Sequence, residues 1–288
     1  MKPMADHGIE LATVLPVVHP LGAPLRHGPT LPIMRPRLWH GAVLVGVILL
    51  SAAAQAASGP AQAGVLAVLV RWTPLLLGGF VFNIAISVLA IAIGTALGLG
   101  VGLWLISPNR VQRSFAAVLT EFFRNAPWLV LLFFVTFLLP FQVRIGSYTI
   151  PLPGWEKAVI GFALPVMANV AEIVRGAVQS IPGGQWEAAE SLGFTRRQQI
   201  WQIILPQCLT RMIPPWMNLY AIVLMSTTLA SIVGVDEVVT LAGQVQAAEG
   251  GRTALLAPIY GYVLLMFFVY SYPIAIYTRR LETRYAAR

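Results

Sequence analysis

The sequence predicts an all-α polytopic membrane protein with about six transmembrane helices, and three observations predict it. Apolar residues make up 57% of the chain and charged residues only 10%, whereas a soluble domain carries about 25% charged residues. The apolar residues fall in runs long enough to cross a bilayer, which takes roughly 20 of them per helix. The arginines sit in the gaps between those runs rather than on one polar face. The excess of 19 Lys plus Arg over 11 Asp plus Glu therefore reads as a topology signal and not as a nucleic-acid footprint.

Residues 1–37 are rich in proline and histidine and read as a disordered cytoplasmic tail. Residues 38–72 hold a first span at 40–57 and a loose Ala/Ser/Gly/Pro linker on the outer side. Ala54, Gln55, Ala56 and Ala61, Gln62, Ala63 resemble signal-peptidase sites. The long leader ahead of the apolar run favours an uncleaved helix. Residues 73–282 form the main domain. Its spans are expected at 79–106, at 114–140 with a break at Pro127, at 156–178, at 212–235 and at 253–278. Residues 283–288 are a basic tail.

Cytoplasmic loops retain an excess of Lys and Arg. Lys2, Arg26, Arg35, Arg37, Arg110, Arg113, Arg196, Arg197, Arg211, Arg279, Arg280, Arg284 and Arg288 fall on one side of the predicted spans. Only Arg71, Arg144, Lys157 and Arg252 fall on the other. Both termini and the loop 179–211 are thus expected inside, while 147–155 and the acidic stretch 236–249 face outward.

That inner loop is long for a connection between spans. Ser180, Pro182, Gly183 and Gly184 end the preceding span, 185–192 is rich in helix formers, and Gly193 stops them. Thr195 followed by Gln198 is a capping-box pattern that starts a second helix, which Pro206 is expected to interrupt. Within this loop, Glu187, Ala188, Ala189, Gly193, Ile203, Leu205 and Pro206 stand at the fixed offsets of the EAA loop.

In that motif the chain resembles the permease subunits of ATP-binding cassette importers. The resemblance implies a type I importer transmembrane domain whose loop seats in a cleft of an ATPase subunit. Residues 171–185 and 121–128 are further similar to the polar amino acid uptake permeases of the histidine and glutamine type. The match includes Thr227, Thr228, Leu229 and 234–237. It covers about 73–282. Two positions depart from the pattern: Met225 and Ser226 replace a Lys-Asp or Lys-Asn pair, and Arg124, Asn125, Ala126, Pro127 replace Arg-Gly-Thr-Pro. The implied partners are ABC ATPase subunits, a second permease subunit (identical or different), a periplasmic or lipid-anchored amino-acid-binding protein, and membrane lipids. The implied location is the bacterial inner membrane.

Glu121 with Arg124, and Glu172 with Arg175, stand at i,i+3 on membrane helices, where each pair can meet. They are candidates for a gate or for locking helices together, with interfacial snorkelling as the alternative. Asn83, Ser87, Asn169, Thr227 and Thr228 lie deep in apolar runs and are candidates for the translocation path, although Ser and Thr can bond their own backbone instead. Glycines 94, 98, 100 and 102 favour close helix packing. Pro127, Pro214 and Pro215 are expected to break or kink their helices.

Catalysis and metal binding find no support. Lys2 and Lys157 do not follow a glycine, so the chain has no phosphate-binding G-x-x-x-x-G-K-[ST] loop. ATP and Mg are expected on the partner ATPase, with no cofactor on this chain. His7, His19, His27 and His40 form no ligand spacing with acidic residues, and Cys208 is the sole cysteine. The residues themselves leave two other readings open: an ion-coupled secondary transporter of small polar solutes, and an ABC permease for a solute other than an amino acid.

Overall fold

The computed structural model describes residues 64–145 and 148–286. The tail 1–37 and the first span 40–57 lie outside the described residues. Helix α1, Val65–Leu105, runs for 41 residues, about 60 Å and so about twice a hydrocarbon core. It starts ahead of the boundary expected at 72/73. Pro74 is tolerated within it, so residues 65–72, which read as linker, are the start of a helix.

Asn109 caps the next helix, accepting from the Val111 N–H at 2.9 Å. That helix, α2 (Arg110–Asn125), and α3 (Trp128–Leu138) meet at a bend of 106°. Pro127 stands at the corner with extended backbone, as its missing N–H requires. An antiparallel hairpin follows, β1 (Gln142–Ile145) paired with β2 (Tyr148–Pro151). Among the described residues the fold is all-α as expected, the exception being this hairpin. It lies outside the apolar runs, where alternating β-branched residues favour extended backbone.

Helix α4, Gly154–Gln179, is the centre of the bundle. Its buried face packs against α1, α2, α3 and the later helices. Gly94, Gly98 and Gly102 of α1 face Val166, Val170 and Val174 of α4 in register. A Cβ at Gly98 would stand 2.6 Å from the Val170 Cβ, and one at Gly102 2.7 Å from the Val174 Cβ. Missing side chains thus let two backbones approach, and dispersion then holds them. Gly100 takes no part, since a Cβ there meets open space.

Lys157, counted in the sequence among the outward-side charges, is wholly buried. Its ammonium donates to the carbonyls of Thr136 at 3.1 Å and Leu139 at 2.9 Å, and lies 3.6 Å from the centre of the Phe141 ring. These are end carbonyls of α3, where a cation satisfies orphan acceptors and complements the helix dipole.

After α4 come α5 (Gly183–Ser191) and a short α6 (Arg196–Gln198), then a π-helical turn, Gln199–Ile204, that feeds α7 (Leu205–Ser226). Pro206 does not interrupt this run. It stands in the first turn of α7, just past the wide π turn closed by Leu205 N–H to the Ile200 carbonyl, and the helical run continues through it. Pro214 and Pro215 likewise lie inside α7 without breaking it. A 3₁₀ stretch, Thr227–Val233, ends at Gly234, whose φ of 83° suits a residue without Cβ. Helix α8 (Val238–Ala248), a 3₁₀ turn at Thr253–Leu255 and α9 (Leu256–Ala286) complete the chain.

Among the described residues, four helices are long and apolar enough to cross a membrane, or five if the bent α2–α3 pair is one span. With the apolar run at 40–57 the number agrees with about six.

Candidate functional site

Three places gather the polar chemistry: a helix-turn-helix elbow, a half-open polar cavity, and a buried node. In the elbow, Gly193 has φ of 76° and ends α5 in a Schellman arrangement, with Phe194 N–H to the Ala189 carbonyl at 3.1 Å and Gly193 N–H to that of Glu190 at 2.9 Å. Thr195 and Gln198 form the capping box that restarts the chain. The stop and restart fold α5 back on the chain, and the Arg196 guanidinium lies 4.1 Å over the Trp186 ring.

The motif residues divide by burial. Ala189 is buried, Ile203 and Leu205 are half-buried, and Glu187, Ala188, Gly193 and Pro206 are exposed. Ile203 and Trp186 pack on a small core of Ala177, Val178, Ile181, Ile204 and Cys208. Ala189 and Ile203 therefore hold the elbow, while Glu187 and Ala188 present its outer face. Arg211, which reads in the sequence only as a topology charge, closes the base of the loop. It donates to the Ser180 carbonyl at 2.7 Å and hydroxyl at 2.9 Å.

The polar cavity, about 370 Å³, is lined by Arg124, Asn169, Glu172, Pro215, Asn218 and Ile222, among others. Glu172 sits between two guanidinium groups, bonded to Arg175 and 3.4 Å from Arg124. The expected Glu121–Arg124 pair does not form. Arg124 turns across to α4, and Glu121 instead takes the Asn125 amide at 3.0 Å. Glu172 already carries Arg175 one turn away, so a second cation there is held by a shared charge. Asn169 bonds the Pro165 carbonyl of its own helix at 2.8 Å and still borders the cavity.

The buried node joins elements far apart in the chain. The Asn83 amide donates to the Thr227 hydroxyl and to a Glu237 carboxylate oxygen, each at 2.9 Å, and its carbonyl accepts from the Val238 N–H at 3.1 Å. The other Glu237 oxygen caps α8, accepting from Val239 at 2.9 Å and Thr240 at 3.0 Å. Glu237 is fully buried and burial pushes its carboxyl above the usual carboxylate range, against the pull of those donors. Glutamate is not among the residues preferred at an N-cap, so the sequence carried no signal for this role. Asn83 and Thr227 thus come together, whereas Ser87 bonds the Ile84 carbonyl and Thr228 that of Met225, each three residues back in the chain. Thr228 borders a separate, largely apolar cavity between α7 and α9.

Residues 94–281 match the binding-protein-dependent transport system inner membrane component family. The chain belongs to that family. The match spans the glycine register, the bend, the elbow, and Thr227 and Glu237 of the node, with Asn83 lying ahead of it.

Relatives of this permease agree with the assignment. The glutamine transport system permease protein of Escherichia coli K12 is 34% identical over 214 residues, 73% of this chain and 93% of that one. The L-cystine transport system permease protein of Bacillus subtilis is 33% identical over 174 residues, 60% of this chain and 72% of the relative. Among solved structures, an amino acid ABC transporter crystallised with histidines superposes with a TM-score of 0.64 at 25% identity, covering 76% of this permease and all of that chain. The inward-facing methionine ABC transporter superposes at 0.57 and 19% identity over 73% of this chain and 96% of its own, a likeness of fold alone.

Proposed function

We propose that this permease forms the translocation path of an importer for polar L-amino acids, moving them by alternating access that separate ATPase subunits drive. The observation that carries the proposal is the cavity bounded by Arg124, Asn169, Glu172 and Asn218. A zwitterion needs an anion and a cation partner a few ångströms apart, and Glu172 with Arg124 and Arg175 offers both in a half-exposed setting. Relatives named for glutamine and cystine support the same cargo class.

In this reading the elbow is the ATPase contact. Glu187 and Ala188 face outward on a helix held by Ala189, Ile203 and Arg211, so movement of α5 is passed to both α4 and α7. ATP and Mg belong to the partner chain, and a second permease subunit and a binding protein complete the assembly. The arginine distribution supports cytoplasmic termini in the inner membrane. A family defined by dependence on a binding protein favours this scheme over ion coupling.

The test is reconstitution of the permease with an ATPase and a binding protein in proteoliposomes, followed by uptake of radiolabelled polar amino acids. ATP-dependent uptake that is lost in Glu172→Gln, with ATPase assembly intact, is the expected result. Glu187→Arg should release the ATPase in a pulldown. Uptake of a different solute class, or unchanged uptake in Glu172→Gln, would overturn the cargo or the cavity assignment respectively.

A further inference from the structure

The groove between α7 and α9 has a volume of about 550 Å³, within the size range of small-molecule pockets. Ile222, Met225, Leu264, Phe267 and Phe268 give it apolar walls, and among the described residues that line it none is Asp, Glu, Lys, Arg or His. Asn218 and Ile222 line this groove and also the charged cavity of Arg124 and Glu172. The two spaces therefore share a wall.

Ser271 adds a polar demand to the apolar groove. Its side chain lines the space, the residue is 5% exposed, and its hydroxyl has no hydrogen-bond partner. A serine or threonine in a helix can bond a carbonyl three or four residues back, as Thr278 of the same helix bonds that of Ile274 at 2.9 Å. Ser271 makes no such bond, and a buried polar group left in that state calls for a partner. Its position along the groove follows from a neighbouring contact, the Tyr220 and Tyr270 hydroxyls meeting at 2.9 Å. Helix α8 is too short to cross a membrane, so α7 and α9 are successive spans and run antiparallel. With residue 220 opposite residue 270, Ser271 stands close to the level of Asn218, at the end of the groove nearest the charged cavity.

We infer that the groove receives the side chain of the transported amino acid and selects a large, uncharged one that carries a hydrogen-bonding group. The inference rests on the cargo reading above and narrows it to neutral side chains. With the α-ammonium on Glu172 and the α-carboxylate on Arg124, the side chain extends past Asn218 toward Ser271, whose hydroxyl can donate to an amide carbonyl or accept from an amide N–H. A charged side chain in the same place finds no counter-ion, and an unpaired charge in apolar surroundings is strongly disfavoured. A lipid acyl chain would cover the same walls but leave the Ser271 hydroxyl unmet.

Competition against radiolabelled glutamine bound to the purified permease–ATPase complex, without a binding protein, tests this. Glutamine and glutamate are alike in shape and differ in charge, and lysine supplies the opposite charge. The wild-type complex is expected to hold glutamine about tenfold more tightly than glutamate or lysine. Ser271→Ala should weaken glutamine about fivefold, while Met225→Lys recruits glutamate and Met225→Glu recruits lysine. Equal affinity for the three in the wild type, or an unchanged order in both Met225 variants, would overturn the inference. Glu172→Gln separates it from the reading it rests on. Loss of glutamine in that variant, with no reordering in the Met225 variants, keeps the cavity and removes the groove. Retained glutamine in Glu172→Gln, with reordering in the Met225 variants, keeps the groove and removes Glu172 as the ammonium partner. A wild-type complex that binds none of the three amino acids would overturn both.

Discussion

The side chains of Asn83 and Glu237 meet at 2.9 Å across 154 positions of sequence. Their bond ties the middle of α1 to the start of α8, and Thr227 adds the end of α7 to the same point. Each partner is wholly buried. A buried carboxylate is tolerable only while its donors stay in place.

Replacing Asn83 by leucine removes a donor to Glu237 and an acceptor for the Val238 N–H. The expected cost is about 3 kcal/mol, read as a fall of several degrees in the thermal unfolding midpoint of the detergent-solubilised protein. Asn83→Asp is expected to be worse, since it faces one carboxylate with another. An unchanged midpoint in both variants would show that the node is not under load.

Glu237 also sets a pH dependence. Its carboxyl is raised above the ordinary range by burial, so the folded protein holds this proton more tightly than the unfolded chain. Stability is then greatest below the ordinary carboxylate range and falls as pH rises through the window up to the raised value. Melting curves across that window should show the decline, and Glu237→Gln should flatten it.

Two glycines of α1 that look alike in sequence should respond in opposite ways. At Gly98 a methyl group would press on the Val170 Cβ at 2.6 Å and on the Met167 carbonyl at 2.7 Å, so Gly98→Ala is expected to lose about 1–3 kcal/mol. Gly100→Ala meets nothing and is expected to gain up to about 1 kcal/mol from helix propensity. Paired thermal melts distinguish the two, and equal responses would contradict the α1–α4 register.

Arg211 holds the two ends of the elbow together through Ser180. Arg211→Ala should let α5 move without carrying α4 and α7 along. In proteoliposomes, ATP hydrolysis is expected to persist while uptake falls severalfold. Hydrolysis and uptake falling in proportion would assign Arg211 to assembly instead.

Much of this was legible in the sequence because it depends on local rules. Pro127 breaks its span since a ring in place of an N–H acts within one turn, and Thr195 with Gln198 caps its helix through bonds three residues apart. The EAA spacing placed Gly193 at the one left-handed residue of the elbow. Pro206 is expected to interrupt its helix, yet the helical run continues past it through a π turn. Pro214 and Pro215 lie inside α7 without ending it.

Apolar run lengths, arginine bias and motif spacing by themselves determined a polytopic membrane protein with a helix-turn-helix elbow between spans, because bilayer thickness and helix geometry act on any chain of this composition. Only the tertiary structure decided that Arg124 turns from Glu121 to Glu172, that Lys157 is buried at the end of α3, and that Asn83 finds Glu237. Those choices depend on which faces meet when helices distant in sequence pack, and a charge settles where the net of desolvation and partnering is most favourable. That information lies in three dimensions and has no period along the chain.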